Sequence, residues 1–304
     1  MELPEGGVEQ FWMTGDGWPI RRIDLAPRHE ARGSLLFMPG RGDFYEKYLE
    51  SLSEWRDAGW HVTSLDWRGQ AGSGRLGMDD STGHSDDFGI WVDDLAAFWA
   101  QWRKERPGPI ALIGHSMGGY GASRIGMKHA DVFGALYLMS PCCLSARGLF
   151  GVSPEAMQAY AAMKSPADSA GLPWAQRGTL AAAAAWSPNP KNPPLYLDLP
   201  MAAGPAGDYK PREDVLAKWA ANAPLSFVDQ YIGQLRRYSA IAMDVGDKDG
   251  LKADTARLHD VLDSYGIANS FTVYEGDHTN RVAFRFQEQV VPFFSQHLVS
   301  GKRP

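Results

Sequence analysis

Cysteine is almost absent from this chain. The two present, Cys142 and Cys143, are neighbours. Adjacent thiols cannot staple distant segments, which excludes a disulfide-held scaffold and a four-cysteine zinc site. No stretch of about 18 apolar residues occurs, so no integral membrane segment is expected. The opening residues, MELPEGGVEQ, lack a basic stretch followed by an apolar run, so no signal peptide and a cytoplasmic location are expected. Basic residues are outnumbered, 30 against 36, for a net charge of −6, and no basic run exists. Such a surface is a poor partner for nucleic acid or anionic membrane, and no nucleic-acid role is expected. No repeat of fixed period is visible. Oligomeric state is not readable.

The chain has 304 residues, 44% of them hydrophobic, enough for a sizeable core. Short apolar runs alternate with helical stretches. Residues 8–14 and 20–26 read as an opening pair of strands. Ser34–Met38 is a continuous apolar run stopped by Pro39 and Gly40, as expected of a strand buried on both faces. A helix is expected over 44–58, a strand over His61–Asp66 and a helix over about 87–105. A strand over Ile110–Gly114, a helix over Met117–His129 and a strand over Gly134–Ser140 follow. Residues 142–237 break the pattern, with many prolines, a polyalanine patch at Ala181–Ala185, and no clear strand. Alternation then resumes: strand Ala240–Val245, helix Leu251–Gly266, strand Ser270–Tyr274, helix 280–298. Repeated β-α-β units predict an α/β fold with a mostly parallel central sheet and helices on both faces. Residues 1–140 and 238–304 would form its two parts. The insertion at 141–237 is expected to be a helical cap or lid, because ligands of open α/β sheets bind beyond the carboxyl ends of the strands.

The sharpest motif is Gly114-His115-Ser116-Met117-Gly118. It stands between an apolar strand and a helix, the setting of a nucleophile elbow, where a sharp turn lifts a serine above the sheet. Gly114 and Gly118 let strand and helix approach. A serine hydroxyl needs a base held by a third group. In an elbow fold the order is serine, acid, histidine. His129, His259, His278 and His297 follow the serine, and only His278 lies in a turn just past a strand, so it is the expected base. The acid should follow a strand between them. Asp247 and Asp249 share the loop after Ala240–Val245. Asp249 is preferred because the loop must bend towards the histidine first, leaving Asp247 to brace it. Asp244 is expected to point away within its strand. The oxyanion hole needs two backbone donors. Met117, after the nucleophile, should supply one, and Arg41, in Pro39-Gly40-Arg41-Gly42-Asp43-Phe44, the other. The Arg41 side chain either adds charge near the site or faces solvent.

These residues resemble those of the α/β-hydrolase superfamily along essentially the whole chain. Residues 9–118 are similar to the lysophospholipase and monoacylglycerol lipase branch through PGRGDFYEKY (39–48), DWRGQAGSG (66–74) and GHSDD (83–87). That branch usually has histidine where this chain has Pro39, which bears on how the loop is braced. From Gly114 onward the chain looks more like the branch of esterase-D-like and enterochelin-esterase-like enzymes. The matching runs are GHSMGGYG (114–121), SPCCL (140–144), VGDKDG (245–250) and YEGDHTNR (274–281). The two resemblances meet at Gly114–Gly119, so a mosaic, or chimera, of two hydrolase relatives is expected. The resemblance implies Ser116, Asp249 and His278 as a catalytic triad and an ester-hydrolysing enzyme that needs no metal and no cofactor. Its substrates would be lysophospholipids, monoacylglycerols or short-chain esters. Thioester hydrolysis, peptide hydrolysis or acyl transfer by the same triad is the alternative, as is a weakly active binding protein. Tyr160, Trp174, Trp186 and Tyr196 would wall an apolar pocket or form a packed cap core. His115 is expected to be packing, Asp66 and Arg68 to brace their loop, and Cys142 and Cys143 to be buried filling. Asp79, Asp80, Asp86 and Asp87 are expected to be solvated loop or helix-start charges rather than metal ligands.

Overall fold

The computed structural model describes residues 3–40, 42–76, 89–106, 108–146, 153–204 and 208–298. Among them are ten strands: β1 (Gly7–Met13), β2 (Pro19–Leu25), β3 (Gly33–Met38), β4 (Trp60–Leu65), β5 (Ile110–His115), β6 (Ala135–Met139), β7 (Met201–Ala203), β8 (Tyr209–Pro211), β9 (Ala240–Gly246) and β10 (Ser270–Tyr274). The α-helices are α1 (Leu49–Asp57), α2 (Gly89–Glu105), α3 (Met117–Lys128), α4 (Pro154–Ala162), α5 (Trp174–Trp186), α6 (Glu213–Asn222), α7 (Ile232–Leu235), α8 (Lys252–Ser264), α9 (Val282–Arg285) and α10 (Val291–His297).

Eight strands make one sheet in the order β1-β2-β4-β3-β5-β6-β9-β10. The pairs β1–β2 and β2–β4 are antiparallel, and the rest of the sheet is parallel. The expected mostly parallel α/β architecture is the one found. Its reason is visible in the burial: β3 and β6 are buried at every residue and β5 and β9 at all but the first. Strands covered on both faces favour apolar side chains at almost every position, hence the near-continuous apolar runs in the sequence. Edge strands β1 and β10 are largely exposed.

The chain divides into two compact units. One comprises Met1–His84, Asp93–Cys142 and Val228–Pro304 and holds the large sheet. The other comprises Ser85–Val92 and Cys143–Phe227. In the first unit, Phe37 of β3 meets Tyr48, Trp55 and Phe286 edge-on, with ring centroids 4.7, 5.8 and 5.0 Å away. Edge-to-face geometry suits the ring quadrupoles and adds about 0.5–1.5 kcal/mol per pair beyond area burial. The stretch expected as one helix over 280–298 is three pieces: α9, a wider π turn at Phe286–Val290, and α10, with Pro292 near its start. Proline has no N–H to continue the ladder, so the helix shifts register there.

Asp244 of β9 is fully buried rather than merely turned aside. Its Oδ2 accepts from Tyr137 (2.8 Å) and from Arg285 of α9 (2.9 Å). Removing one partner of a buried ion pair leaves the other charge uncompensated. Arg285→Met is therefore expected to cost about 3–5 kcal/mol of stability, read from the urea midpoint. A loss under about 1 kcal/mol would mean Asp244 is satisfied without it.

The second unit holds α4, α5, α6 and a two-stranded antiparallel sheet, β7 with β8. That hairpin corrects the expectation of no strand here. Its three-residue strands are too short to show periodicity. The polyalanine patch lies in α5, as strong helix propensity dictates. Trp186 and Trp219 meet edge-on at 5.6 Å, and the Trp219 indole donates to Ser187 Oγ at 2.9 Å. Tyr160 is buried and donates to the Gln176 carbonyl. Tyr160 and Trp186 thus serve as packed core of this unit, Tyr196 is more than half exposed, and the Trp174 side chain lies outside the described residues.

Candidate active site

Strand β5 ends at His115 and α3 begins at Met117, leaving Ser116 alone in the turn with φ 58° and ψ −114°. Positive φ in a residue with a side chain costs about 1–3 kcal/mol and persists only when the surroundings impose it. Here they do. Ser116 N–H donates to Met139 O of β6 at 3.0 Å, and its carbonyl accepts from Tyr120 N and Cys142 N at 3.0 and 3.1 Å. The glycines of the motif are needed for close approach. A Cβ on Gly114 would lie 2.1 Å from Gly118 O, and one on Gly118 would lie 2.3 Å from Met38 O.

Ser116 Oγ is 2.9 Å from Nε2 of His278, and Nδ1 of His278 is 2.8 Å from Oδ2 of Asp249. A carboxylate only accepts, so Nδ1 carries the imidazole proton and the bare Nε2 accepts from the serine hydroxyl. Asp249 is 6% exposed, and its other oxygen accepts from Leu251 N at 2.9 Å. Burial alone would raise its carboxyl, but the hydrogen bonds from His278, the Leu251 amide and the Ser140 hydroxyl outweigh it, and its pKa is lowered. Asp247 does not reach His278. Its Oδ1 accepts from Gly276 N at 2.8 Å, while Asp247 N donates to Tyr274 O and Lys248 N to Gly276 O. These bonds tie the loop after β9 to the loop after β10.

Met117 N–H opens the twelve-residue α3, where the first amides have no acceptor within the helix. Arg41 lies outside the described residues, as do Asp79, Asp80, Asp86 and Asp87. Its neighbour Gly40 sits beside Ser116: a Cβ there would be 3.6 Å from that of Ser116. Pro39 does not leave this loop unbraced. Trp67 Nε1 donates to Pro39 O at 2.9 Å, Gly42 N donates to Gln70 Oε1, and Asp43 binds Tyr48 OH and, at 2.7 Å, Lys47. Indole, amide, phenol and ammonium groups do the bracing; the run DWRGQAGSG contains Trp67 and Gln70, but nothing in it says that they meet the loop after β3. Asp66 holds the next turn through Arg21, Tyr45 N and Gly72 N, and Arg68 pairs with Asp16 and Asp94. Two expectations need correction. Cys142 and Cys143 are half-buried rather than core filling. His115 does more than pack, since its Nε2 meets the carbonyl of His278 at 3.0 Å.

Ser116, Asp249, His278, Gly40, Trp67 and Cys142 follow the carboxyl ends of β5, β9, β10, β3, β4 and β6. That is where open α/β sheets place their ligands. Among the described residues no group of three or more histidines, cysteines or carboxylates is set to hold a metal. No described helix is long and apolar enough to cross a membrane.

Comparison with known proteins agrees with this architecture. The chain is 36% identical over 147 residues to lysophospholipase L2 of Escherichia coli (strain K12), a match covering 45% of this chain and 42% of that protein. The chain thus spans less than half the length of the curated relatives it matches. Among solved structures, a ferulic acid esterase superposes with a TM-score of 0.59 at 16% identity, covering 95% of this chain and 98% of the other. A thermostable carboxyl esterase from Bacillus coagulans gives 0.58 at 15% identity, covering 97% and 99%. At those identities the likeness is one of fold. The family model described as serine aminopeptidase, S33 (Hydrolase_4) matches residues 29–184, more than half of the chain, and the chain belongs to that family of α/β-hydrolases.

Proposed function

We propose that this protein is a serine carboxylester hydrolase acting on lipid-like esters of the lysophospholipid or monoacylglycerol kind. The observation that carries the proposal is the continuous relay Ser116 Oγ···His278 Nε2 and His278 Nδ1···Asp249 Oδ2, at 2.9 and 2.8 Å. In it, Ser116 attacks the ester carbonyl while His278 takes the hydroxyl proton, and Asp249 stabilises the imidazolium. The tetrahedral oxyanion is held by Met117 N–H at the α3 N-terminus, together with an amide of the Gly40–Arg41 loop. His278 returns the proton to the departing alcohol. Water, deprotonated by the same base, then cleaves the acyl-Ser116 ester to free acid and restores the serine. The lipid substrate class is supported by the likeness to lysophospholipase L2.

The experiment is fatty-acid release from 1-palmitoyl-lysophosphatidylcholine, alongside p-nitrophenyl esters from C2 to C12 and an amino-acid p-nitroanilide. Release from the lysophospholipid, with ester rates rising towards the longer chains, is the expected result. Turnover confined to the shortest esters would move the substrate to small esters. Hydrolysis of the anilide alone would replace ester by peptide chemistry.

A further inference from the structure

His115 has no part in the relay just described, yet it is 4% exposed and touches the base. The carbonyl of His278 can only accept, so His115 Nε2 carries a proton and donates to it across 3.0 Å. Nδ1 of His115 is buried with no hydrogen-bond partner among the described residues, on the side of the Gly40 loop. A second proton there would be an unsatisfied buried donor. Burial first, and then the neighbouring His278, hold the His115 pKa down at about 4. The ring is a neutral imidazole with its tautomer dictated by one bond. It lies 4.9 Å from the His278 ring, tilted by 33°.

The two histidines stand on unequal supports. His115 is the last residue of β5, in register with Met139 of β6 near the middle of the sheet. His278 lies in a turn beyond β10, the exposed edge strand. The neighbours of His278 are tied within the turn, where Asp277 Oδ1 accepts from Thr279 N and Asn280 N, and to the loop after β9, where Gly276 N donates to Asp247. The bond from His115 joins the backbone of the base itself to the strand that carries the nucleophile.

We propose that His115 is a positioning residue: by donating from Nε2 to the carbonyl of His278, it clamps the turn bearing the base onto β5 and keeps His278 Nε2 on Ser116 Oγ. The proposal rests on the relay reading given above. Its expected size follows from geometry, since a displacement of about 1 Å at a reacting group costs on the order of 10²-fold in rate.

The test is steady-state hydrolysis of p-nitrophenyl butyrate by the full chain carrying His115→Leu, His115→Gln or Ser116→Ala, with thermal unfolding of each. Leucine keeps the bulk and removes the donor. Glutamine keeps an N–H able to reach the same carbonyl. The expected result is a loss of about 10- to 100-fold in kcat for His115→Leu with KM within about twofold, and recovery to within about fivefold of wild type in His115→Gln. A His115→Leu kcat within threefold of wild type overturns the proposal. So do equal losses in both variants that track a fall in melting temperature, or failure of both to fold, since each assigns His115 to core packing. Wild-type turnover that is absent, or that survives Ser116→Ala, removes the relay reading and the clamp with it. Turnover lost in Ser116→Ala but indifferent to His115→Leu removes the clamp alone.

Discussion

Ser116→Ala is expected to lower kcat for ester hydrolysis by about 10⁶-fold, to the level left by binding and oxyanion stabilisation. The change deletes one oxygen and nothing else of weight. Alanine keeps the Cβ, so it pays the same penalty at φ 58°, and the bonds imposing that conformation, Ser116 N–H to Met139 O and Ser116 O from Tyr120 and Cys142, are all backbone. Melting temperature should therefore stay close to wild type while turnover disappears. Labelling by a fluorophosphonate gives the complementary reading: the wild-type serine should be modified and the alanine variant should not. A folded alanine variant that retains more than about a hundredth of the activity would assign the chemistry to another nucleophile.

Asp249→Asn is expected to cost about 10⁴-fold in kcat, whereas Asp247→Asn should stay within about tenfold. The two aspartates are two residues apart in one loop, and their partners separate them. Asp249 Oδ2 fixes the proton on His278 Nδ1, so that Nε2 is bare towards Ser116. An asparagine amide donates instead of accepting, turns the imidazole tautomer over and presents an N–H to the serine hydroxyl, which disables the base. Asp247 braces the turn by accepting from Gly276 N, a role the carbonyl of asparagine keeps. The lowered carboxyl of Asp249 has a sign that is checkable by pH. A depressed carboxylate contributes stability that is present above its unfolded value, about 4, and is lost as pH falls through the folded one. Wild type should accordingly be more stable than Asp249→Asn at neutrality, and the gap should narrow as pH falls below about 4. Equal activity losses in both variants would mean that the loop as a whole, rather than one carboxylate, serves the histidine.

Much of this protein is written locally. Ser34–Met38 reads as a strand because a segment covered on both faces favours a near-continuous apolar run, and β3 is buried at every position. Ser116 is legible because an elbow needs small residues on both sides, and the clash distances at Gly114 and Gly118 supply the reason. His278 follows from order along the chain and from its place beyond a strand. Asp249 follows from the reach of its loop.

Other features have no local signature. The three-residue strands β7 and β8 carry no period. Trp67 holds the loop at Pro39 through a bond spanning 28 positions. Asp244 finds Arg285 across 41 positions in the core, and His115 meets the carbonyl of His278 across 163. The sequence by itself determined which residue types were available: a strand–serine–helix turn, a histidine past the last strand, two aspartates in one loop, and apolar runs long enough to bury a parallel sheet. The tertiary structure alone decided which of them meet. Ser116 and His278 lie 162 positions apart, and nothing in the pattern around either encodes a 2.9 Å contact. That distance is set by the register of β5, β6, β9 and β10, because packed strands fix the origin of every loop that leaves them.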